Sequence, residues 1–114
     1  MDVFKQPFDP SDINAYEVDF SGLLEEGETI AAFTIVPDAG AAEAGFGIRD
    51  DGARAAKVIG GTAIRFWPEV REDERSHARW RGYGRRCVIE IEIATSAAPP
   101  RTLQRSFAVL VRQL

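Results

Sequence analysis

Arg79-Trp80-Arg81-Gly82-Tyr83-Gly84-Arg85-Arg86 is the stretch of this chain whose residue types could do the most chemistry. Guanidinium groups interleaved with aromatic rings can stack on bases and bind phosphates. The same residue types are enriched at the energetic centres of protein–protein contacts. A third reading is a hairpin arm whose aromatics fold down on the body of the protein. Charge orders the three. The formal net charge is −4, which argues against a general nucleic-acid binder. Residues 1–51 hold twelve acids against Lys5 and Arg49, a net −10, whereas residues 52–114 hold twelve bases against six acids, a net +6. A chain polarised in this way either pairs its halves across its own surface or docks copies head to tail. Protein contact therefore ranks first, with Arg79, Trp80, Arg81, Tyr83 and Arg85 as the expected partner-binding residues. Structural packing ranks second and nucleic acid a distant third.

Other candidate chemistry is sparse. His77 is the only histidine, so one chain cannot assemble a two-histidine metal site or a histidine relay. Its neighbours Arg75, Ser76, Ala78 and Arg79 suit an exposed loop. Cys87 is the only cysteine, which excludes an intrachain disulfide and a thiolate cluster. Arg85 and Arg86 could lower its thiol pKa, but burial statistics for cysteine favour a small core residue. Glu90 and Glu92 share one face of an extended segment and could flank a cation or a sugar. Nothing in their surroundings raises a carboxyl pKa, so a solvated sheet face is the stronger reading. Gly45-Phe46-Gly47 and Gly60-Gly61-Thr62 lack the spacing and the lysine of a phosphate cradle and read as turns. An enzyme is not expected, and neither a cofactor nor a metal is implied.

The elements that must position these residues are strands. Cys87, Ile89, Ile91 and Ile93 alternate with Val88, Glu90 and Glu92, and after residues 95–102 the alternation resumes with Phe107, Val109 and Val111. Successive side chains on a pleated backbone point to opposite faces, so a period of two predicts an antiparallel hairpin with one buried face. Earlier, Tyr16, Val18 and Phe20 form a first strand and Ile30 to Val36 a second. Phe46 and Ile48 make a short strand before the turn signal Asp50-Asp51-Gly52, and Lys57 to Ile59 pair back. Ile64 and Phe66 make a further strand ended by Pro68. Asp9-Pro10 can start a helical turn, with the aspartate as cap, and Leu23 to Gly27 reads as another. Residues 38–47, rich in Ala and Gly, form a loop or a weak helix, and residues 69–85 form a long charged excursion.

Six or seven short strands at this spacing predict an all-β protein in one domain. The favoured architecture is an immunoglobulin-like antiparallel β-sandwich over residues 16–114, preceded by an arm at residues 1–15. A partly open barrel is the alternative. Met1 to Pro7 lacks the basic and apolar regions of a signal peptide, and no apolar run could span a bilayer, so assembly in a cytoplasm is expected.

The order of landmarks resembles a family of small bacteriophage virion proteins, the phage fibre–tail adaptor proteins, which have an immunoglobulin-like fold. The family pattern opens on Asp-Pro, here Asp9-Pro10, and continues to a Tyr-x-x-Asp-aromatic strand, here Tyr16, Asp19 and Phe20. A Leu-x-x-Gly-acid-x-Ile step follows at Leu24, Gly27, Glu28 and Ile30, then a strand ending at Pro37. The pattern closes with Ile89, Ile91, Ile93, Thr95 and Ser96, then Arg101 and Arg105-Ser106-Phe107. Phe20 stands where the family has Trp, Pro100 where it has Gly, and residues 38–86 match poorly. The resemblance implies a structural virion component that joins tail or head–tail components and fibres. Its partners would be other phage structural proteins (a tail hub, a portal-proximal ring, a fibre root) and copies of itself, with no membrane. Contacts would come from the N-terminal arm, the Arg79–Arg86 loop and the final strand, whose edge could accept a partner strand. Two alternatives stand beside it: a capsid decoration protein of the same fold, and a carbohydrate- or ligand-binding module using Trp67, Trp80 and Tyr83.

Overall fold

The hairpin read from the isoleucine alternation is the spine of the structure, a computed structural model that describes all 114 residues. The chain forms strands β1 (Asp2–Val3), β2 (Tyr16–Asp19), β3 (Ile30–Pro37), β4 (Phe46–Ile48), β5 (Lys57–Ile59), β6 (Ala63–Phe66), β7 (Pro68–Val70), β8 (Arg85–Thr95) and β9 (Thr102–Val111). A single short helix, α1 (Ala39–Glu43), follows β3. The protein is all-β and sandwich-like. A four-stranded sheet in the order β1-β9-β8-β3 stacks on a second layer made of β2-β6-β5 and the pair β4-β7. No helix is long and apolar enough to cross a membrane.

The pairing of β8 with β9 sets Cys87 opposite Val109 and Ile89 opposite Phe107. Cys87, Ile89, Ile91 and Ile93 are fully buried, while Glu90 and Glu92 face solvent. Each buried isoleucine contributes about 1.5–3 kcal/mol relative to exposure, so the register of this hairpin is strongly fixed. The second layer covers that face with Val18, Phe20, Ile64, Phe66 and Val70. Between the layers Tyr16 stacks on Phe66 with ring centroids 5.9 Å apart, and Phe4 lies 4.9 Å from Tyr16 and 6.0 Å from Phe107.

Several local expectations change. The strand through Phe66 does not end at Pro68: after Trp67 the chain continues as β7, which pairs with β4. Proline opens this strand, where its missing N–H costs no ladder bond. Consequently β5 pairs with β6 rather than back on β4. The helical turn expected at Leu23 to Gly27 lies earlier, as a 3-10 turn at Ser21–Leu23. Residues 38–47 do contain a helix, α1, because the Asp38 carboxylate accepts from the Ala41 N–H at 2.7 Å and caps it. Ala41 and Ala44 then fit flat against the core.

The segment expected as an arm lies against the last strand. β1 runs parallel to β9, the Phe4 N–H donates to the Ala108 carbonyl at 3.0 Å, and the Phe8 N–H donates to that of Leu110 at 2.8 Å. Phe8 is fully buried, and the Tyr16 hydroxyl donates to the Gln6 carbonyl at 2.8 Å. Beyond Phe8, Asp9-Pro10 turns the chain, with the Asp9 carboxylate accepting from the Ser11 N–H at 2.8 Å. The edge of β9 from Phe107 onward is thus occupied by the chain itself, so a partner strand cannot add there as the sequence suggested.

At the opposite end of the hairpin, Glu28 and Arg101 form a clasp. The Arg101 Nε donates to the Glu28 carboxylate at 3.0 Å, a second guanidinium nitrogen also donates to it, and that nitrogen reaches the Leu23 carbonyl at 3.0 Å. The Glu25 N–H donates to the same carboxylate at 2.9 Å. Arg101 foremost, then the Glu25 N–H, holds the Glu28 carboxyl down to about 2 from an ordinary 4.5. A carboxyl held below its unfolded value stabilises the fold fully above that value and loses the contribution as pH falls through it toward the folded value. Urea midpoints of the wild type and of Glu28→Gln are therefore expected to differ most near neutrality and to converge as pH drops from about 4.5 toward about 2. A constant gap across that range would show that Glu28 does not ionise against Arg101.

Candidate partner-binding loop

The charged excursion between β7 and β8 folds into two 3-10 turns, Glu72–Glu74 and Ala78–Trp80. Both are fastened to the body by their own polar groups. The Arg75 Nε donates to the Val70 carbonyl at 2.8 Å. Arg79 reaches the Ala44 carbonyl at 2.8 Å and the Glu74 carboxylate at 3.4 Å. The His77 Nδ1 accepts from the Arg79 N–H at 3.1 Å, so the lone histidine caps a turn in an exposed position.

Trp80 decides the character of the segment. Its ring is fully buried, and its Nε1–H donates to the Glu74 carbonyl at 2.7 Å. The Trp80 carbonyl in turn accepts from the Gln113 N–H at 2.8 Å, tying the loop to the chain beyond β9. Trp80 was expected to face a partner; it is instead a plug of the core, with Arg79 lying 5.8 Å over its ring. Arg79 is partly exposed and bonds to the Ala44 carbonyl and the Glu74 carboxylate, whereas Trp80 is corrected from a contact residue to a packing residue. A large indole with one donor is stable when buried only if that donor finds an acceptor, and here it does.

What remains outward is the tip, Arg81 to Arg86. Gly82 and Gly84 take positive φ of 64° and 72°, which turns the chain through a tight reversal. At Gly84 a Cβ would sit 2.3 Å from the Val111 carbonyl oxygen, so the loop enters β8 by passing directly against the end of β9. Between the two glycines Tyr83 stands 94% exposed. Arg81, Arg85 and Arg86 are exposed beside it, and none of them has a carboxylate within ion-pair distance. The two halves of the chain pair across the surface only through Glu17–Arg65, Glu28–Arg101 and Arg49–Glu69. The tip and the first residues of β8 therefore carry unpaired arginines next to an exposed phenol in the chain. Arg85 and Arg86 lie on opposite faces of β8, with the Arg85 guanidinium against Gly40 of α1. Unpaired positive charge beside an exposed ring has the character that complementarity to an acidic surface requires.

The other singled-out groups do not converge on it. Cys87 is buried, and desolvation pushes its thiol up to about 12, which leaves it inert at neutral pH. Trp67 is half-buried with the Arg54 guanidinium 5.7 Å over its ring, and Trp80 is fully buried, so neither ring offers an open platform. No three His, Cys, Asp or Glu side chains converge on a point. Sequence reasoning missed one feature, an open cleft of about 360 Å3 lined by Phe33, Ile35, Ile48, Arg49, Asp50 and Ala56. Its only advance signal was a strand without a single charge. Comparison with family models, with curated proteins and with solved structures gives no match.

Proposed function

We propose that this chain is a structural virion protein of a tailed bacteriophage, an immunoglobulin-like adaptor that joins tail or head–tail components and fibres through protein–protein contacts. One observation supports the reading more than any other. Gly27-Glu28 and Arg101, landmarks of the resemblance set 73 residues apart between Glu28 and Arg101, meet as a clasp at one end of the sandwich. Residues that share a motif because they share a contact are a stronger sign of kinship than residues that share only an order. The mechanism is docking. The basic tip at Arg81, Tyr83, Arg85 and Arg86 engages an acidic surface on a tail hub, a portal-proximal ring, a fibre root or a neighbouring copy. The protein is assembled in the host cytoplasm and retained in the particle.

Tyr83→Ala and Arg85→Ala remove exposed side chains, so each is expected to change unfolding stability by no more than about 0.5 kcal/mol. Incorporation into particles should fall sharply for the double variant. The deciding experiment is mass spectrometry of purified particles of the phage encoding the chain, followed by a cryo-electron-microscopy map that locates it. Absence of the chain from the particle defeats the proposal. A position on the head surface would instead favour capsid decoration.

A further inference from the structure

β3 is an edge strand of the large sheet whose middle, Ala32 to Val36, has no backbone partner on its outer side. At its ends the Ile30 N–H donates to the Gly61 carbonyl, a bulge lies between Ile30 and Ala32, and Pro37 has no N–H to offer. The strand pairs with β8 on one side only, and although β4 packs nearby, β4 hydrogen-bonds to β7 alone. Sheet edges are normally protected by charge, by covering segments or by shortness. The β9 edge is covered by residues 2–8, and its uncovered part carries Arg105. The β5 edge is 3 residues long and opens on Lys57. Over 8 residues, Ile-Ala-Ala-Phe-Thr-Ile-Val-Pro, β3 has no charged side chain. Its outer face shows Ala32, Thr34 and a 55%-exposed Val36, and its inner face leaves Phe33 and Ile35 half-buried in the cleft beside Ile48 and Ala56.

The hydrogen-bond phase of this edge can be read from one contact. The Asp38 N–H donates to the Val88 carbonyl at 2.9 Å, so alternate positions Val36, Thr34 and Ala32 direct their backbone groups to β8. The N–H and C=O of Phe33 and Ile35 therefore point away, toward the open edge. We propose that this edge pairs antiparallel with the β3 of a second copy about a twofold axis through Thr34, joining the two large sheets into one. This inference stands independently of the adaptor reading.

The strand is its own complement in that register. Phe33 falls opposite Ile35 of the second copy, and the two exchange both backbone hydrogen bonds on each side of the axis. The side-chain pairs are Phe with Ile on the cleft face and Ala32 with Val36 on the outer face, and Thr34 meets its counterpart at the axis. Aromatic–β-branched and Thr–Thr pairs are among the favourable cross-strand combinations. Electrostatics do not oppose the arrangement. Glu92 lies beside Thr34, so the two Glu92 side chains would stand three strand spacings apart, about 14 Å, beyond a Debye length of about 8 Å. An isologous contact of this kind closes on itself and does not propagate into fibres.

The test uses the full chain and the Thr34 position. Opposed Thr34 residues form a non-hydrogen-bonded pair with Cα atoms about 4.5 Å apart, within disulfide range. Under oxidation Thr34→Cys is expected to give a near-complete intermolecular disulfide, while Gln104→Cys, exposed on β9, gives none. The buried Cys87 does not compete. Sedimentation of the wild type at high micromolar concentration should show a dimer. Thr34→Lys, which sets two ammonium groups face to face, should run as a monomer with an unchanged circular-dichroism spectrum, and Thr34→Val should remain dimeric. A monomeric wild type, a dimer that survives Thr34→Lys, or equal cross-linking at positions 34 and 104 would each overturn the proposal.

Discussion

Trp80→Ala is expected to destabilise the protein by about 3–5 kcal/mol, a large share of the roughly 5–15 kcal/mol available to a domain. Two losses add. Removing a fully buried indole leaves a cavity among the core side chains, which collapses only partly. It also removes the indole donor to the Glu74 carbonyl and leaves that acceptor unpaired, while the position 80 carbonyl still accepts from the Gln113 N–H. Phenylalanine at this position should recover most of the cavity term and none of the Nε1 hydrogen bond. Urea unfolding of the three proteins separates the contributions. A loss for Trp80→Ala no larger than that of an exposed substitution would mean that the loop lies off the core.

Phe8→Ala is the second change of comparable size, expected to cost about 3–5 kcal/mol for a fully buried phenylalanine. Its importance is diagnostic. If residues 1–15 were an arm that orders only on meeting a partner, the substitution would leave the isolated protein untouched and impair assembly alone. The hydrogen bonds from Phe4 and Phe8 to β9, and the donation from Arg112 N–H to the Phe8 carbonyl at 2.9 Å, make the segment a working part of the sheet. Thermal melts of Phe8→Ala and of a chain lacking residues 1–8 should therefore both shift down. Exchange of the Arg112 amide, which donates to the Phe8 carbonyl, should quicken in step.

The alternation of β8 and β9 was legible because burial on one face imposes a period that no other element produces. Ile89, Ile91, Ile93 and Val109 stand on the face the pattern assigned to them. The second layer was harder to read. Its strands are three or four residues long, and pairing among β4, β5, β6 and β7 is set by tertiary packing that no local period encodes. The basic tip was visible as composition, but composition cannot say which aromatic points in. Trp80 and Tyr83 sit three residues apart with similar neighbours and opposite fates. The difference lies in the Glu74 carbonyl waiting for an indole N–H, and in two left-handed glycines that carry the phenol outward. The N-terminal pairing was not legible either, because a two-residue parallel strand leaves no periodic trace.

That parallel pairing also bears on how the polypeptide acquires its shape. Asp2 finds its register opposite Phe107, about a hundred residues downstream, and the entropy of closing so long a loop grows with its length. The β8–β9 hairpin, with a short connection and the strongest apolar face, is the natural early element. Residues 2–8 thus have nowhere to dock until β9, about a hundred residues downstream, has been made. Topologies of this kind fold slowly, and while the chain is nascent its leading segment, Phe4 and Phe8 included, stays open to chaperones.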